Sequence, residues 1–316
     1  MDINSCHDKD YLFKRNLLEI ALKIQNNVSS GMDCMEIWEE ADYALYELIN
    51  NTFSNNRSSI KSALKRTMDG IDKQIREKKI VTGIPSGFPK LDDYTAGFQP
   101  SDLIVFSGSP AVGKTSFALS ILYQITFQKK IPAAFFSLDM SDTALIKRML
   151  ALYGDVDSKY LNAGCLTSEN FCQIQKTADK MYDAPLYIID KPTINLCDIR
   201  VESRRLKAKE KIEIIFIDYL NLLVFEKNNF ETYRHFIKVS KYLKNLACEL
   251  NIPIVVLYRS DWQTNTGNRN ILGGFERYSD TVIFLKKRKN SEKIKLCVAK
   301  ERNGLIGKIE VDLHGI

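Results

Sequence analysis

The 316-residue chain has no CxxC pair, and its seven cysteines (Cys6, Cys34, Cys165, Cys172, Cys197, Cys248 and Cys297) are scattered and odd in number. That argues against a disulfide framework or a zinc site and for a reducing compartment. No apolar run is long enough to span a bilayer. The opening residues, MDINSCHDKDYLFKR, hold no signal-peptide hydrophobic region. There is no internal repeat and no long low-complexity tract. Charge is not one-sided either: 45 Lys and Arg face 39 Asp and Glu, a net of +6. Such a balance permits a nucleic-acid partner without requiring one, and fits a mildly basic enzyme equally well. These absences describe a soluble intracellular chain with no membrane partner. With 45% hydrophobic residues it can build a full core.

The first eighty residues carry helical periodicity. Leu17, Ile20, Ala21 and Ile24 share one face, and Ile37, Ala41, Leu45 and Leu48 share another. The polar stretch Asn50 to Ser59 reads as a loop. A third helix follows, with a narrow stripe of Ile60, Leu64, Met68, Ile71 and Ile75 on an otherwise charged surface. Such a stripe needs a cover, supplied either by this chain's own domain or by a neighbouring subunit. From about residue 81 the texture changes. Thr82 to Asp102 is rich in Gly, Pro and Asp and reads as loop and turn. Beyond it, short apolar runs alternate with amphipathic stretches. The strand candidates are 103–107, 133–138, 185–190, 212–218, 253–258, 281–285 and 295–299. This alternation implies an α/β fold around a mostly parallel sheet covered on both faces, and the short charged connections between the last runs imply antiparallel additions at the far edge.

Gly108-Ser109-Pro110-Ala111-Val112-Gly113-Lys114-Thr115 fits GxxxxGK[ST] between an expected strand and an expected helix. Glycines let such a loop curl its N–H groups inward onto phosphate oxygens, and the helix N-terminus adds a favourable dipole. Lys114 can reach the outer phosphates, and the Thr115 hydroxyl can ligate magnesium. Asp218, at the tip of IEIIFID, is a second candidate metal ligand. Asp139 ends another apolar run, and can polarise a water, cap the next helix, or do both. In VAKERNG, Lys300 and Arg302 alternate with Glu301 and so project from one face of a strand end, toward phosphate or simply into solvent at a hairpin tip.

Taken in order, these motifs resemble DnaB-type hexameric replicative DNA helicases, of the RecA-like P-loop class. The resemblance runs over nearly the whole chain from about Asp10. It is carried by the stretch from Thr82 to Ile121, then FFSLDMS with LIKRML, then IIFIDYLNLL, LKNLACELNIPIVVL and AKERNG. It implies a RecA-like ATPase domain over 81–316, a linker helix over 57–80 that docks on the adjacent protomer, and over 1–56 the last helices of an N-terminal collar. It implies ATP and Mg2+ as cofactors, with Lys114, Thr115, Ser116 and the rest of the loop on the triphosphate and Thr115 and Asp218 on the metal. Asp139 sits where the family carries its catalytic acid, and Arg148 where an arginine supports the phosphates. Arg259 falls at the γ-phosphate sensor position. Lys300 and Arg302 would reach in trans into the neighbouring subunit's site. The implied partners are single-stranded DNA, further copies of this chain in a homo-oligomeric ring, primase and a helicase loader. DNA would run past loops after the metal strand (225–235) and before 275, held through its phosphates. The implied place is the cytoplasm at the nucleoid, or a plastid stroma for an organelle-encoded chain.

Two residues depart from the family pattern. The family usually has Glu where this chain has Asp139, and Gln where the fifth apolar run leads into Tyr258-Arg259. The segment 261–274 lacks the family's Arg-Glu-Ser-Gly sequence, with Arg269 as the nearest basic substitute. One other reading therefore stays open, a diverged or truncated DnaB-like ATP-binding assembly subunit with little or no unwinding; the order of the motifs disfavours a third, another RecA-like ATPase of the recombination or clock type.

Overall fold

The computed structural model describes residues 3–53, 59–77, 81–191, 194–220, 229–259, 274–287, 293–302 and 304–312. The chain divides into two units, Met1–Lys78 and Lys79–Ile316. The first holds three helices, α1 (Ile3–Ser29), α2 (Cys34–Phe53) and α3 (Ile60–Glu77). Gly31, at φ 73, turns the chain between α1 and α2. Glu40 of α2 ties them together, accepting from Asn27 at 3.2 Å and pairing with Lys23 at 3.1 Å. Leu48 is buried, while Ile20, Ile24, Ile37, Ala41 and Leu45 are half-buried. α2 runs to Phe53, four residues into the expected loop. Asn is tolerated where a helix is about to end, and buried Leu48 anchors that turn. On α3, Ile60, Leu64, Met68 and Ile71 lie on one face as expected and are between 42% and 79% exposed.

The second unit is an eight-stranded sheet with strand order β3-β2-β4-β5-β1-β6-β7-β8. The strands are β1 (Leu103–Gly108), β2 (Ala133–Ser137), β3 (Leu186–Ile189), β4 (Ile214–Asp218), β5 (Ile254–Arg259), β6 (Thr281–Lys287), β7 (Lys293–Glu301) and β8 (Gly307–Asp312). β1 through β6 pair in parallel, and β7 and β8 add antiparallel. Period-two alternation assigns the two faces. Ile104, Phe106, Phe216, Val255 and Leu257 enter one core with Phe117, Leu119 and Leu122 of α5 (Lys114–Leu122). Leu103, Val105, Ile217, Ile254 and Val256 enter the other. There they meet Ile199 and Leu206 of α9 (Leu196–Lys209) and Val239 and Leu243 of α10 (Asn229–Leu250). Each such fully buried side chain contributes about 1.5–3 kcal/mol of transfer free energy. Phe106 and Phe117 meet edge to face, with centroids 5.2 Å apart.

The strand bounds differ from expectation by a few residues, and two elements go beyond it. β8 lies past the last expected strand. Within 82–102, where composition predicts loop, lies α4 (Pro89–Thr95), with Pro at its first turn and Leu91 wholly buried. Proline is suited to that position because its missing N–H would be unsatisfied there anyway.

Candidate functional site

The parallel strands β2, β4, β5, β1 and β6 present their C-terminal tips side by side, the end of an open α/β sheet where ligands bind. The loop that leaves β1 is built from its backbone. Ala111 at φ 60 and Gly113 at φ 99 are both left-handed, and Gly113 delivers the chain into α5 as its N-terminal cap. Gly108 must be glycine for a different reason: a Cβ there would lie 2.8 Å from the Leu285 carbonyl oxygen on β6. A cavity of about 350 Å3 opens between Gly108, Ser109, Pro110, Ala111 and Val112 on one side and Leu285, Lys286 and Lys287 of β6 on the other.

Lys114 and Thr115 open α5. The Lys114 ammonium donates to the Gly108 and Ser109 carbonyls at 2.7 and 2.9 Å, spanning the mouth of the loop. Thr115 Oγ1 donates to Asp218 Oδ2 at 2.8 Å, across 103 residues of sequence. Asp218 is 5% exposed. Burial pushes its carboxyl up to about 6, the Thr115 hydroxyl, Arg148 and Lys114 pull it down, and the nearby Asp139 charge pushes it up. Among the described residues no three His, Cys, Asp or Glu side chains gather to hold a metal by themselves. A divalent cation here would take the Thr115 hydroxyl and one carboxylate from the protein and its other oxygens from phosphate and water, the way magnesium is commonly held. The charge of such a cation would also relieve the desolvated Asp218. The residues present therefore fit a magnesium–nucleotide.

Arg148, on α6 (Asp142–Tyr153), donates to Ser116 Oγ at 2.9 Å, so it braces the first turn of α5. Asp139 lies two residues past β2 and is exposed. It does not cap α6: Ser141 does, accepting from the Ala144 N–H at 3.3 Å. The capping alternative for Asp139 is thereby removed. Arg259 ends β5 in register with Gly108 on β1, exposed beside the loop. The structure thus gathers Gly108 to Ser116, Asp139, Arg148, Asp218 and Arg259 at one end of the sheet.

Lys300 and Arg302 are not there. Thr281 at the start of β6 pairs with Glu301, because β7 runs antiparallel to β6. Both cations therefore lie at the N-terminal end of the parallel strands, where they reach the same turn. Lys300 donates to the Glu276 carbonyl at 2.9 Å and to that of Ser279, and Arg302 pairs with Asp280 at 3.0 Å. β1 alone separates the two ends by about 17 Å at the usual rise of a strand. Sequence reasoning missed Asp280, Asp102 and Lys244 at this end. The only available signal was an acid immediately ahead of an apolar strand, which is common.

Of the two stretches expected to line a DNA channel, 229–235 is not loop but the start of α10, the helix that carries the buried Phe236, Val239 and Leu243. The rest of that stretch and 261–273, including Arg269, lie outside the described residues. Among the described residues no helix is long and apolar enough to cross a membrane.

Comparison with known proteins agrees with the α/β architecture. Residues 83–315 match the family model described as the DnaB-like helicase C terminal domain. The chain is 36% identical over 314 residues to the replicative DNA helicase DnaB of Treponema pallidum, covering 96% of this chain and 71% of that protein. It is 33% identical to the DnaB of Geobacillus stearothermophilus, covering 94% of this chain and 69% of that one. Among solved structures, one ATPase domain superposes with a TM-score of 0.72 at 25% identity, over 81% of this chain and 95% of that chain. A DnaB-like replicative helicase described with its primase interactions superposes at 0.67 over 96% of this chain and 75% of that one, at 24% identity, a likeness of fold. The chain belongs to the DnaB-like replicative DNA helicases, and its second unit is their RecA-like ATPase domain.

Proposed function

We propose that this chain hydrolyses ATP at the seams of a homo-oligomeric ring, a hexamer as in its family, and uses the cycle to move along single-stranded DNA at a replication fork. The observation that carries this reading is the separation of the two half-sites. The phosphate cradle and the Lys300–Arg302 strand end sit at opposite ends of one rigid sheet, so a chain cannot bring its own Arg302 to its own cradle. A neighbour can.

At the seam, the loop N–H groups and the Lys114 ammonium bind the phosphates, the ammonium leaving the Gly108 and Ser109 carbonyls to do so. Thr115 and Asp218 would hold magnesium, which would supply charge that neutralises the phosphate oxygens. Asp139 orients the attacking water and accepts its proton at a carboxylate oxygen. Arg148 keeps the first turn of α5 in place through Ser116. Arg259 answers to the outer phosphate from the tip of β5. The neighbour's Arg302, with Lys300 bracing the turn behind it, meets the charge that grows on the transferring group. The exposed stripe on α3 fits the linker that docks on the adjacent protomer, with 1–56 as the end of the collar. Primase and a helicase loader are the further partners in this reading.

DNA-stimulated ATP hydrolysis is the test. The intact protein should show it, and Lys114→Ala should reduce it to background while leaving the fold unchanged by circular dichroism. Nucleotide binding without DNA-stimulated hydrolysis would overturn the motor reading in favour of an ATP-binding assembly subunit.

A further inference from the structure

Asp280 precedes β6 and is 2% exposed. Its Oδ2 accepts from the Leu103 N–H at 2.9 Å and from the Lys244 ammonium of α10. Its Oδ1 accepts from Arg302 at 3.0 Å. Lys244 is fixed in turn by the Ser101 carbonyl at 2.8 Å and lies 3.9 Å from Asp102. Burial pushes the Asp280 carboxyl up, but the Leu103 amide, Lys244 and Arg302 outweigh it and hold the group below the usual carboxylate range. It is a committed anion, locked at one oxygen by the start of β1 and by a helix, and offering the other to an arginine.

The arginine is the reverse. Its side chain is 67% exposed, and residues 304–307 beyond it pack against Tyr94. Leu305 N–H donates to the Tyr94 carbonyl at 3.2 Å. Gly304 and Gly307 lie so close to Tyr94 that a Cβ on them would come within 2.2 Å of its carbonyl oxygen and 2.7 Å of its ring. A free arginine side chain surrenders its rotamer freedom when it docks. Here one guanidinium nitrogen is already held by a buried carboxylate while the rest of the group faces outward.

From this we infer that Asp280 is the positioning residue for Arg302: fixed by Leu103 and Lys244, it aims the guanidinium across the seam at the neighbouring chain's phosphate cradle. Asp280 touches neither substrate nor metal and acts through Arg302. Lys300, whose ammonium is held by the carbonyls of Glu276 and Ser279, braces the same turn from the inside. The inference rests on the reading of Arg302 as a residue that acts in trans.

Mixed assemblies test both and separate them. Lys114→Ala subunits have a dead cradle and a sound Arg302, and Arg302→Ala subunits the reverse. Turnover recovered on mixing the two supports action in trans; no recovery overturns that reading and this inference with it. Asp280→Asn keeps an oxygen for the Leu103 amide and removes the charge. Alone, it should lower kcat for DNA-stimulated hydrolysis about ten- to a hundredfold, as misplacement of a catalytic group by about 1 Å does, with KM for ATP unchanged. Mixed with Lys114→Ala subunits it should recover turnover, and mixed with Arg302→Ala subunits it should not. In an Arg302→Ala background it should cost nothing further. If Arg302→Ala recovery on mixing holds but Asp280→Asn shows the opposite pattern, Asp280 serves its own cradle and the inference fails. It fails equally if Asp280→Asn is as active as the unaltered protein, or more active, which would make Asp280 a restraint. Circular dichroism and ring assembly are checked first. If the asparagine variant does not fold, Asp280→Glu takes its place in the same mixtures. It keeps the charge and displaces it by about one carbon–carbon bond, and the same patterns support or overturn the inference.

Discussion

The C-terminal end of the parallel strands and their N-terminal end are built from different materials. At the C-terminal end the site is mostly backbone: one consecutive loop, Gly108 to Gly113, with two left-handed residues and a helix N-terminus behind it. At the N-terminal end the charged groups are side chains, with backbone only bracing them. Asp102, Lys244, Asp280, Lys300 and Arg302 come from two strand entries, a helix and a strand exit, and none of their ion pairs spans fewer than 22 residues. Backbone suits a ligand that must be surrounded, since N–H groups converge only where the chain curls. Long side chains suit a ligand that belongs to another molecule and must be reached.

The separation is broken most severely by removing the reaching group. Arg302→Ala should lower turnover of the assembled protein about a thousandfold, the scale of a lost arginine finger. Affinity for a fluorescent nucleotide should not change in unassembled subunits. A loss of affinity there would mean that the two ends are not independent. Within the cradle end, Asp139→Asn should cost about a hundredfold in kcat by removing the proposed proton acceptor. Asp139→Glu, the side chain usual in the family, should raise kcat, and steady-state kinetics of the pair decide whether the shorter acid limits this enzyme. Gly108→Ala should lower stability by about 1–3 kcal/mol, seen as a drop in Tm, because its Cβ meets the Leu285 carbonyl oxygen 2.8 Å away. The smallest effect belongs to the other end. Burial and the Asp280 charge push Asp102 up to about 6 from 3.8. The folded protein then binds a proton there that the unfolded chain releases, so this residue makes stability fall as pH rises from about 4 to about 6. Asp102→Asn should stabilise the protein by about 1 kcal/mol at pH 7.5 and by nothing at pH 3.5. Melting curves at the two pH values check the sign.

What the sequence made legible follows the same division. A consecutive loop with an obligatory glycine spacing can be read as a word, and so could Gly108 to Thr115, with Asp218 as the polar end of an apolar run. The central strands were readable because they are buried on both faces and carry unbroken apolar runs. β8 was not, because Gly307–Asp312 is an edge strand in which only Ile309 and Val311 are buried and charged residues alternate with them. α4 was masked by the Gly and Pro of its flanks. The asparagines at the end of α2 look like turn residues until Leu48 is seen to anchor them. The Asp280 cluster had no pattern to read, since Lys244 is one of several lysines on α10 and meets Asp280 only through the fold. Lys300 and Arg302 were found as a pair, but only the antiparallel turn of β7 against β6 shows that they face away from their own cradle.

β1 joins the two ends in a literal sense. Its first amide donates to the carboxylate that holds Arg302, and its last residue begins the phosphate loop. Every residue of the strand is buried, between parallel partners on both sides, so it has little freedom to stretch or bend. In a ring it would behave as a strut of fixed length between one seam and the next. A tightening at one nucleotide must then be passed on as a displacement at the following one, and the give in the assembly has to lie between chains. Timing around such a ring would be mechanical, set by how each subunit shifts as a block when its cradle closes.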